Sequence, residues 1–398
     1  MSKRGVSGAS PRVVVAVGTR PEAIKLFPVI RALKLVEGLD VVVCATGQHR
    51  QILDQALEIA GIEPDFDLDV MKPRQSLDTL SAELLVRFGA VLDDLSPDRV
   101  VVQGDTTTAA MCALAAHYRR IPVAHVEAGL RSGDLHHPWP EEANRRMVAQ
   151  LADLHFAPTE IAAANLRSEN LPAPSILVTG NTVIDALYQT LAQIDRLDHL
   201  TADIREMLKV AGERKIILAT THRRENFGGG LEQIAQALDR LAQRPDVLIV
   251  VPVHPNPQVT RVLGRLGERE NIQLLSPQTY VPFLYLMSQA HVILTDSGGV
   301  QEEAPALGKP VLVMRDKTER PEGIAAGTAK LVGTDADVIV SECERLLDDA
   351  GAYAVMASAG SPYGDGQAAG RIAAEIERDL QARGRLMGQQ GHAGSRVA

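Results

Sequence analysis

The segment that decides the fold is Val13–Lys25, which reads VVVAVGTRPEAIK. Its first five residues are apolar and four of them are β-branched, so a buried strand is predicted over Val13–Val17. Gly18 then allows a tight turn, and Pro21 suits the first turn of a helix. A short apolar strand, a turn and a helix form the repeating unit of a parallel sheet that is covered by helices on both faces.

The same pattern recurs along both halves of the chain. Two series of apolar runs, each separated by Ala- and Leu-rich stretches, predict two doubly wound α/β domains with a hinge in Leu191–Arg214. Residues from Arg383 to the end are rich in Gly, Gln and Arg, and we expect them to be disordered. The predicted strands of the first half are Val13–Val17, Val41–Ala45, Val100–Gln103, Val123–Val126, His155–Ala157 and Ile176–Val178, and those of the second half are Ile216–Ala219, Val247–Val251, Ile272–Leu275, Val292–Leu294 and Val311–Met314.

Composition excludes several classes of function. The 398 residues carry 41 basic and 50 acidic side chains, a net charge of −9, and only 3% aromatic residues, which argues against nucleic-acid binding. Apolar runs fall short of the ~20 residues of a membrane span, and residues 1–12 do not resemble a secretory signal. The thiols Cys44, Cys112 and Cys343 form no CxxC pair, which favours a reducing cytoplasm, and no metal-binding spacing occurs.

Charged residues follow the predicted strands of the first half, where parallel sheets bind their ligands. Arg20 and Lys25 could reach an anion at a helix start, although a solvated basic turn is the alternative. Asp105 follows the strand that ends at Gln103, and it could instead cap the next helix. Glu127 ends a buried strand, a position that strand propensity does not explain.

Further along the first half, Pro140-Glu141-Glu142 opens a helix, where acidic residues also favour the helix dipole. One of these two glutamates could therefore be structural. Asp105, Glu127 and Glu141 are the three carboxylates expected to carry proton chemistry.

The second half supplies groups that suit a phosphate. His222, Arg223 and Arg224 follow its first strand, with a surface ion-pair network as the alternative. Ser297, Gly298 and Gly299 lead from a strand into a helix, and such small residues let backbone N–H groups approach a phosphate. Glu302 and Glu303 lie one turn further, in a position to accept hydrogen bonds from sugar hydroxyls. His254, between two prolines, is by itself more typical of a structural role.

Phosphate-binding groups and paired carboxylates suit a nucleotide-diphosphate sugar, and the motifs that carry them resemble the non-hydrolysing UDP-N-acetylglucosamine 2-epimerases. The resemblance runs in order from about Val13 to Gly366. Its nine motifs are GTRPEAIK (Gly18–Lys25), GQHR (Gly47–Arg50), QGDTTT (Gln103–Thr108), HVEAGLR (His125–Arg131), PWPEEANR (Pro138–Arg145), TGNTVIDA (Thr179–Ala186), THRREN (Thr221–Asn226), VHPNP (Val253–Pro257) and DSGGVQEE (Asp296–Glu303).

The resemblance implies a glycosyltransferase-B-like fold, with two Rossmann-like domains facing across a cleft. The first would span residues 1–190 and be completed by a last helix at about 367–383; the second would span 191–366, and 384–398 would form the tail. It also implies a homodimer that needs no cofactor and no metal, and that interconverts UDP-GlcNAc and UDP-ManNAc by eliminating UDP to 2-acetamidoglucal and adding it back. The product would supply ManNAc-type precursors for surface polysaccharide.

The resemblance also assigns residues. Arg20, His222 and the Ser297–Gly299 amides would neutralise the leaving UDP, with His222 in the catalytic set beside the three carboxylates. Phe283 would face the uracil, Glu303 the ribose and Arg320 a phosphate; core packing for Phe283 and a surface role for Arg320 are the alternatives. The complete nucleotide-binding set adds Lys25 and Gln278.

A second UDP-GlcNAc site is the last implication, since some family members are activated by their own substrate. Gln48 and Gln51 lie three residues apart at a predicted helix start, so both amides could face one sugar. Arg74 adds a cation for a diphosphate, and Arg223 and His254 match the remaining contacts. The alternative is a polar loop on the first domain.

Three other functions compete with this interpretation. A UDP-sugar-dependent glycosyltransferase would share the fold and the phosphate site. A hydrolysing 2-epimerase would release free ManNAc and UDP, and a non-catalytic sensor would only bind the nucleotide sugar. The three acids, with no evident acceptor-binding segment, favour the epimerase.

Overall fold

A computed structural model gives the fold. It describes residues 10–47, 61–72 and 74–393, of which 385–393 are described by their backbone alone. The chain separates into two compact units. The first combines Met1–Ala186 with Gly366–Ala398, and the second is Leu187–Asp365.

The described part of the first unit is a parallel sheet with helices between its strands. The strand order is β3-β2-β1-β4-β5-β6-β7, and every pair of neighbours is parallel. The strands are β1 (Arg12–Val17), β2 (Asp40–Ala45), β3 (Phe66–Asp67), β4 (Arg99–Gln103), β5 (Val123–Val126), β6 (Leu154–Ala157) and β7 (Ile176–Val178); the helices, numbered along the described residues, are α1 (Arg20–Lys34), α2 (Leu77–Leu95), α3 (Thr107–Tyr118), α4 (Glu141–Leu151), α5 (Glu160–Ser168) and α6 (Thr182–Leu191).

The second unit repeats this architecture with the strand order β10-β9-β8-β11-β12-β13, again all parallel. The strands are β8 (Lys215–Thr220), β9 (Val247–Pro252), β10 (Ile272–Leu275), β11 (Val292–Thr295), β12 (Val311–Val313) and β13 (Ala329–Leu331); the helices are α7 (Asp198–Leu208), α8 (Gly229–Leu241), α9 (Pro257–Leu263), α10 (Tyr280–Gln289), α11 (Gly298–Ala306), α12 (Pro321–Ala325), α13 (Ala336–Asp348) and α14 (Ala350–Ala357).

Every predicted strand is present, with its bounds moved by at most one residue. The reason is that central strands of a parallel sheet are covered on both faces, so their sequences are continuously apolar. Val13, Val14 and Val15 of β1, for example, are fully buried. The two strands that the pattern missed are β3, which is two residues long among acidic residues, and β13, whose three residues include Lys330.

The last helix, α15 (Ala368–Ala393), belongs to the first unit. It extends beyond the predicted 367–383, because Arg, Leu, Met and Gln in the following segment are good helix formers. Arg99 of β4 is fully buried and ties this helix to the sheet: it pairs with Asp153 at 2.7 Å and with Asp379 of α15 at 2.6 Å. Among the described helices, none is long and apolar enough to cross a membrane.

Candidate active site

Three loops at the carboxyl end of the first sheet lead to the predicted charged residues. They follow β1, β4 and β5, next to the point where the strand order reverses, which is where doubly wound sheets bind ligands. The loops after β1 and β4 lie in direct contact, because a Cβ atom added at Gly18 would overlap the Thr108 side chain. A glycine at position 18 is therefore required for these loops to meet.

Glu127 is held in an unusual conformation directly after β5. Its φ of +62° lies in the left-handed region that residues with a side chain seldom adopt. The side chain is almost buried; it pairs with Lys25 Nζ and accepts hydrogen bonds from Gln103 Nε2 and, at 3.3 Å, from Asn181 Nδ2. One cation and two amide donors stabilise the ionised carboxylate, so Glu127 is set up as an anion.

Asp105 has different surroundings directly after β4. Its Oδ2 atom lies 2.6 Å from Arg145 Nη2 of α4. Burial raises the pKa of Asp105 and outweighs Arg145, and the Glu127 carboxylate contributes to the rise. The alternative capping role is wrong, because the Thr106 side chain caps α3 by accepting from Ala109 N at 3.0 Å.

Glu141 and Glu142 open α4 and have opposite environments. Glu142 is fully buried and accepts from Ser132 N at 3.0 Å and from the guanidinium groups of Arg145 and Arg146 at 3.2 Å. It is the structural glutamate of the pair. Glu141 Oε2 is buried and has no hydrogen-bond partner among the described residues.

Two further buried groups support these loops. His125 Nε2 lies 2.8 Å from the Gly104 carbonyl oxygen, and burial lowers the pKa of His125 to about 3, so the ring is neutral and donates this bond. Glu22 of α1 accepts from Thr19 N at 2.6 Å and from Thr106 Oγ1 at 2.8 Å, and burial raises its pKa to about 7. Both contacts fix the turns that lead into the acidic residues.

The two basic residues that follow β1, Arg20 and Lys25, differ in their exposure to solvent. Arg20 is exposed at the first position of α1. Lys25, on the next turn, is mostly buried against Glu127. Arg20 is therefore open to a soluble anion, whereas Lys25 already acts on a site carboxylate.

In the second unit, the N-terminus of α11 lies next to β11, at the reversal of the second sheet. Ser297 precedes the helix and Gly298 begins it. A Cβ atom at Gly298 would lie 3.3 Å from Glu319 Oε1 and 3.7 Å from Arg223 Nη2, while one at Gly299 would have no neighbour within 4 Å among the described residues. The exposed Gly299 backbone is thus accessible to a phosphate.

Asp296 organises the loop after β8. It is fully buried and accepts from Thr221 Oγ1 at 2.9 Å, from the backbone N–H groups of His222 and Arg223, and from Asn226 Nδ2 at 3.0 Å. Although burial raises the pKa of Asp296, the hydrogen bonds led by His222 lower it overall. Asp296 Oδ1 also lies 3.2 Å from His222 Nδ1, which orients a half-exposed imidazole.

Charged side chains surround the start of α11. Arg223 pairs with Glu319 at 2.8 Å, and Arg315 pairs with the same carboxylate at 2.6 Å. These cations and a backbone hydrogen bond outweigh burial and lower the pKa of Glu319 to about 2. Arg320 pairs with the buried Glu302, so Glu302 is tied to a cation rather than available to a sugar hydroxyl.

The remaining predicted nucleotide contacts lie on α10, α11 and the loop before α10. Glu303 is buried beside Tyr280, and burial together with this carboxylate raises the pKa of Tyr280 well above its ordinary value. Gln278 Nε2 donates to the Ser276 carbonyl at 2.8 Å. Phe283 is partly buried and packs against the apolar core.

A model of the UDP-N-acetylglucosamine 2-epimerase family matches residues 31–377. The chain belongs to this family. It is 52% identical to the UDP-N-acetylglucosamine 2-epimerase of Salmonella typhimurium over 91% of this chain and 97% of that protein. The family assignment confirms the resemblance that the nine motifs carry.

Solved structures agree with this assignment. A Neisseria meningitidis UDP-GlcNAc 2-epimerase solved with UDP-GlcNAc superposes with a TM-score of 0.81 at 46% identity, over 92% of this chain and all of that one. The Methanocaldococcus jannaschii enzyme in complex with UDP-GlcNAc and UDP has a TM-score of 0.75 at 33% identity, over 92% and 99%. The predicted glycosyltransferase-B-like α/β class is confirmed.

Within the family site, several residues were not singled out from the sequence. Asn144 and Arg145 bind Asp105, Gln103 and Asn181 bind Glu127, and Asp296 orients His222. Each lies inside a recognised motif, but only the spatial partner reveals its role. No group of three or more potential metal ligands occurs in the described ranges.

The residues predicted for a second UDP-GlcNAc site are spread over both units. Gln48 and Gln51 lie outside the described residues. Arg74 is exposed in a turn with a φ of +58°. In the other unit His254 stacks on His222, with ring centroids 5.9 Å apart, and Arg223 pairs with Glu319.

Proposed function

We propose that the chain epimerises UDP-GlcNAc at C2 to UDP-ManNAc, reversibly and without a nicotinamide cofactor. The observation that carries the proposal is the set of three carboxylates, Asp105, Glu127 and Glu141, which have three different environments beyond the carboxyl ends of β4 and β5. Relatives that share about half of this sequence bear the name UDP-N-acetylglucosamine 2-epimerase. Inverting one carbon needs one group to take the C2 proton and another to return a proton on the opposite face, and this set offers candidates for both.

The proposed route is elimination followed by addition. A base takes the C2 proton, the C–H electron pair forms the C1=C2 double bond, and UDP leaves C1 with the pair of the broken C–O bond. The products of this step are UDP and 2-acetamidoglucal. UDP then adds back at C1 while C2 takes a proton on its opposite face.

Two carboxylates differ enough to share this work. Glu127, which Lys25 and two amides stabilise as an anion, is the group that starts ionised and can accept the C2 proton. Asp105, whose pKa is raised by burial, is the group that is more readily protonated and can return a proton. The roles exchange in the reverse reaction, and Glu141, with its unpartnered oxygen, is the third member of the catalytic set.

We assign the nucleotide to the second unit. The Ser297–Gly299 amides and Arg320 would hold the phosphates, and His222, oriented by Asp296, would act on the charge of the leaving UDP. Phe283 would contact the uracil and Glu303 the ribose, and Gln278 would be a further contact of the nucleotide. By the family resemblance Arg20, exposed on α1, and Lys25, which also pairs with Glu127, would be further contacts of the nucleotide.

Proton NMR of UDP-GlcNAc with the protein in heavy water tests the activity. We expect UDP-ManNAc and deuterium at C2 to appear together. Free UDP accumulating in step with ManNAc would indicate a hydrolysing enzyme. Unchanged UDP-GlcNAc would refute epimerisation and return a glycosyltransferase or a sensor as the better explanation.

Variants test the carboxylates separately. Asp105→Asn, Glu127→Gln and Glu141→Gln should each lower kcat by about 10²-fold or more, the scale of a positioned acid or base. UDP affinity, measured by calorimetry, should change little because the nucleotide is assigned elsewhere. A variant that retains near wild-type turnover would remove its residue from the set.

We further propose a regulatory second UDP-GlcNAc site that uses Gln48, Gln51, Arg74, Arg223 and His254. Support comes from the Methanocaldococcus jannaschii enzyme, which was solved with UDP-GlcNAc and UDP together. An activator that binds one state better shifts the equilibrium toward it. Conversion of pure UDP-ManNAc should therefore lag until a trace of UDP-GlcNAc is added, and Arg74→Ala should flatten the sigmoidal rate curve of the forward reaction more than it weakens UDP binding. Conversion without a lag would refute the site.

The proposal includes a homodimer that works in the cytoplasm and supplies ManNAc-type precursors for surface polysaccharide. Cys44, Cys112 and Cys343 are buried free thiols, which suits a reducing compartment. Light scattering should give about twice the chain mass of 42.8 kDa. A measured mass equal to that of one chain would refute the homodimer and leave the proposed activity unaffected.

A further inference from the structure

Two amide side chains hold Glu127 from different sides. Gln103 is the last residue of β4 and donates to Oε2, whereas Asn181 precedes α6 and donates to Oε1 at 3.3 Å. Both amides are buried, with exposed fractions of 3% and 2%. Because each carboxylate oxygen has its own donor, the plane of the carboxylate is defined.

The orientation of the Asn181 amide is itself fixed. Its Oδ1 atom accepts the Val183 N–H at 3.1 Å in the first turn of α6. The carbonyl oxygen of the amide is therefore committed to the helix, and the amino group must face Glu127. The start of α6 thus sets the direction from which Glu127 receives a donor.

We propose that Asn181 and Gln103 are positioning residues that keep the Glu127 carboxylate ionised and aimed in one direction. The inference rests on the proposed function, in which Glu127 exchanges protons with the sugar. Neither amide is assigned a contact with substrate, so neither is a catalytic residue. Glu127 needs such support because its left-handed backbone is a conformation that surrounding contacts must maintain.

Asn181→Asp isolates this role. The aspartate keeps the size of the side chain and an oxygen for the Val183 N–H, and Asp caps helices as well as Asn. It removes the donor to Glu127 and places a second carboxylate beside it. Gln103→Glu makes the same exchange on the other oxygen.

We expect either variant to lower kcat by roughly tenfold or more and to move the acidic limb of the pH profile upward by about one pH unit or more, since a like charge disfavours ionisation. KM and the Kd of UDP should stay within about twofold, because neither amide is assigned a contact with the bound substrate or with UDP. The control is Asn256→Asp, which makes the same change at the start of α9, where Asn256 accepts from Gln258 N at 2.9 Å. It should leave the profile unchanged.

A measurement without turnover separates this inference from the proposed function. With ¹³C-labelled glutamate, the Glu127 carboxyl signal is assigned from its loss in Glu127→Gln, and its titration midpoint is followed by NMR. The midpoint should rise in Asn181→Asp and not in Asn256→Asp. An unchanged midpoint together with a wild-type pH profile would overturn the inference, whereas a wild-type protein that does not epimerise would overturn only the proposed function.

Discussion

Glu22 is a buried carboxylate whose replacement should make the protein more stable. Its exposed fraction is 1%, and burial raises its pKa from 4.5 to about 7 despite the hydrogen bonds that it accepts. A raised pKa in the folded state means that stability is fully present below pH 4.5 and is lost as the pH rises through about 7. At 1.36 kcal/mol for each pH unit, the loss at alkaline pH is about 3 kcal/mol.

Glu22→Gln should remove this loss. The glutamine oxygen would accept from the backbone of Gly18 and Thr19, and the amino group would donate to Thr106 Oγ1, since a hydroxyl also accepts. We expect equal stability near pH 5 and a gain of about 2–3 kcal/mol in the free energy of unfolding at pH 8.5.

Urea titrations at several pH values would measure the gain in the free energy of unfolding. The signal would be the fluorescence anisotropy of Trp139, the single tryptophan, which lies in the first unit. Glu142→Gln is the matched contrast: its pKa is lowered, because hydrogen bonds from Ser132 and two arginines outweigh burial. That variant should lose stability at neutral pH and recover it in acid. A Glu22→Gln variant that is destabilised equally at every pH would refute the reasoning.

Two further changes test other parts of the fold. In Gly299→Ala the added Cβ atom meets no described residue, so thermal stability should be unchanged. If a phosphate occupies that space, the UDP affinity measured by calorimetry should fall about tenfold or more. The control is Gly370→Ala on α15, which is equally open, and equal UDP affinities of the two variants would place the phosphate elsewhere. Asp379→Asn should cost about 2 kcal/mol in urea unfolding, because it removes a partner of the buried Arg99. The pKa of Asp379 is lowered, since its bonds to Arg383 and Arg99 outweigh burial, so this cost should shrink as the pH falls below 3.8; a cost independent of pH would contradict the ion pair.

The fold could be predicted from the sequence because buried parallel strands have an unambiguous pattern. Runs such as Val13–Val17 are apolar throughout, and the following glycine and helix mark their carboxyl ends. The features that the sequence pattern did not predict are a very short strand and the length of the last helix. Phe66–Asp67 pairs with β2 through only two residues, which no periodicity can reveal. The length of α15 depends on helix propensity, which the Gly- and Gln-rich composition of the tail concealed.

Less of the candidate site could be predicted from the sequence, because a motif identifies residues but not the side chains that they contact. Glu141 and Glu142 are adjacent in the sequence and chemically identical, yet only Glu142 is neutralised by arginines. Lys25 stays a predicted nucleotide contact, and its ion pair with Glu127 is a partner that the motif does not reveal. Such differences arise from packing between elements that are distant in sequence, so no local pattern could predict them.

A reversible epimerase sets a particular demand on these carboxylates, because the group that accepts a proton in one direction must donate it in the other. Two groups with widely separated proton affinities would work well in one direction only. Burial raises the pKa of Asp105, but Arg145 and Lys25 limit the rise. Glu127 is stabilised as an anion, but it shares Lys25 and an electrostatic interaction with Asp105. Arg145, which pairs with Asp105, therefore narrows the gap in proton affinity between the two acids, whereas Lys25, which contacts Glu127 directly, favours the ionised form of Glu127 most.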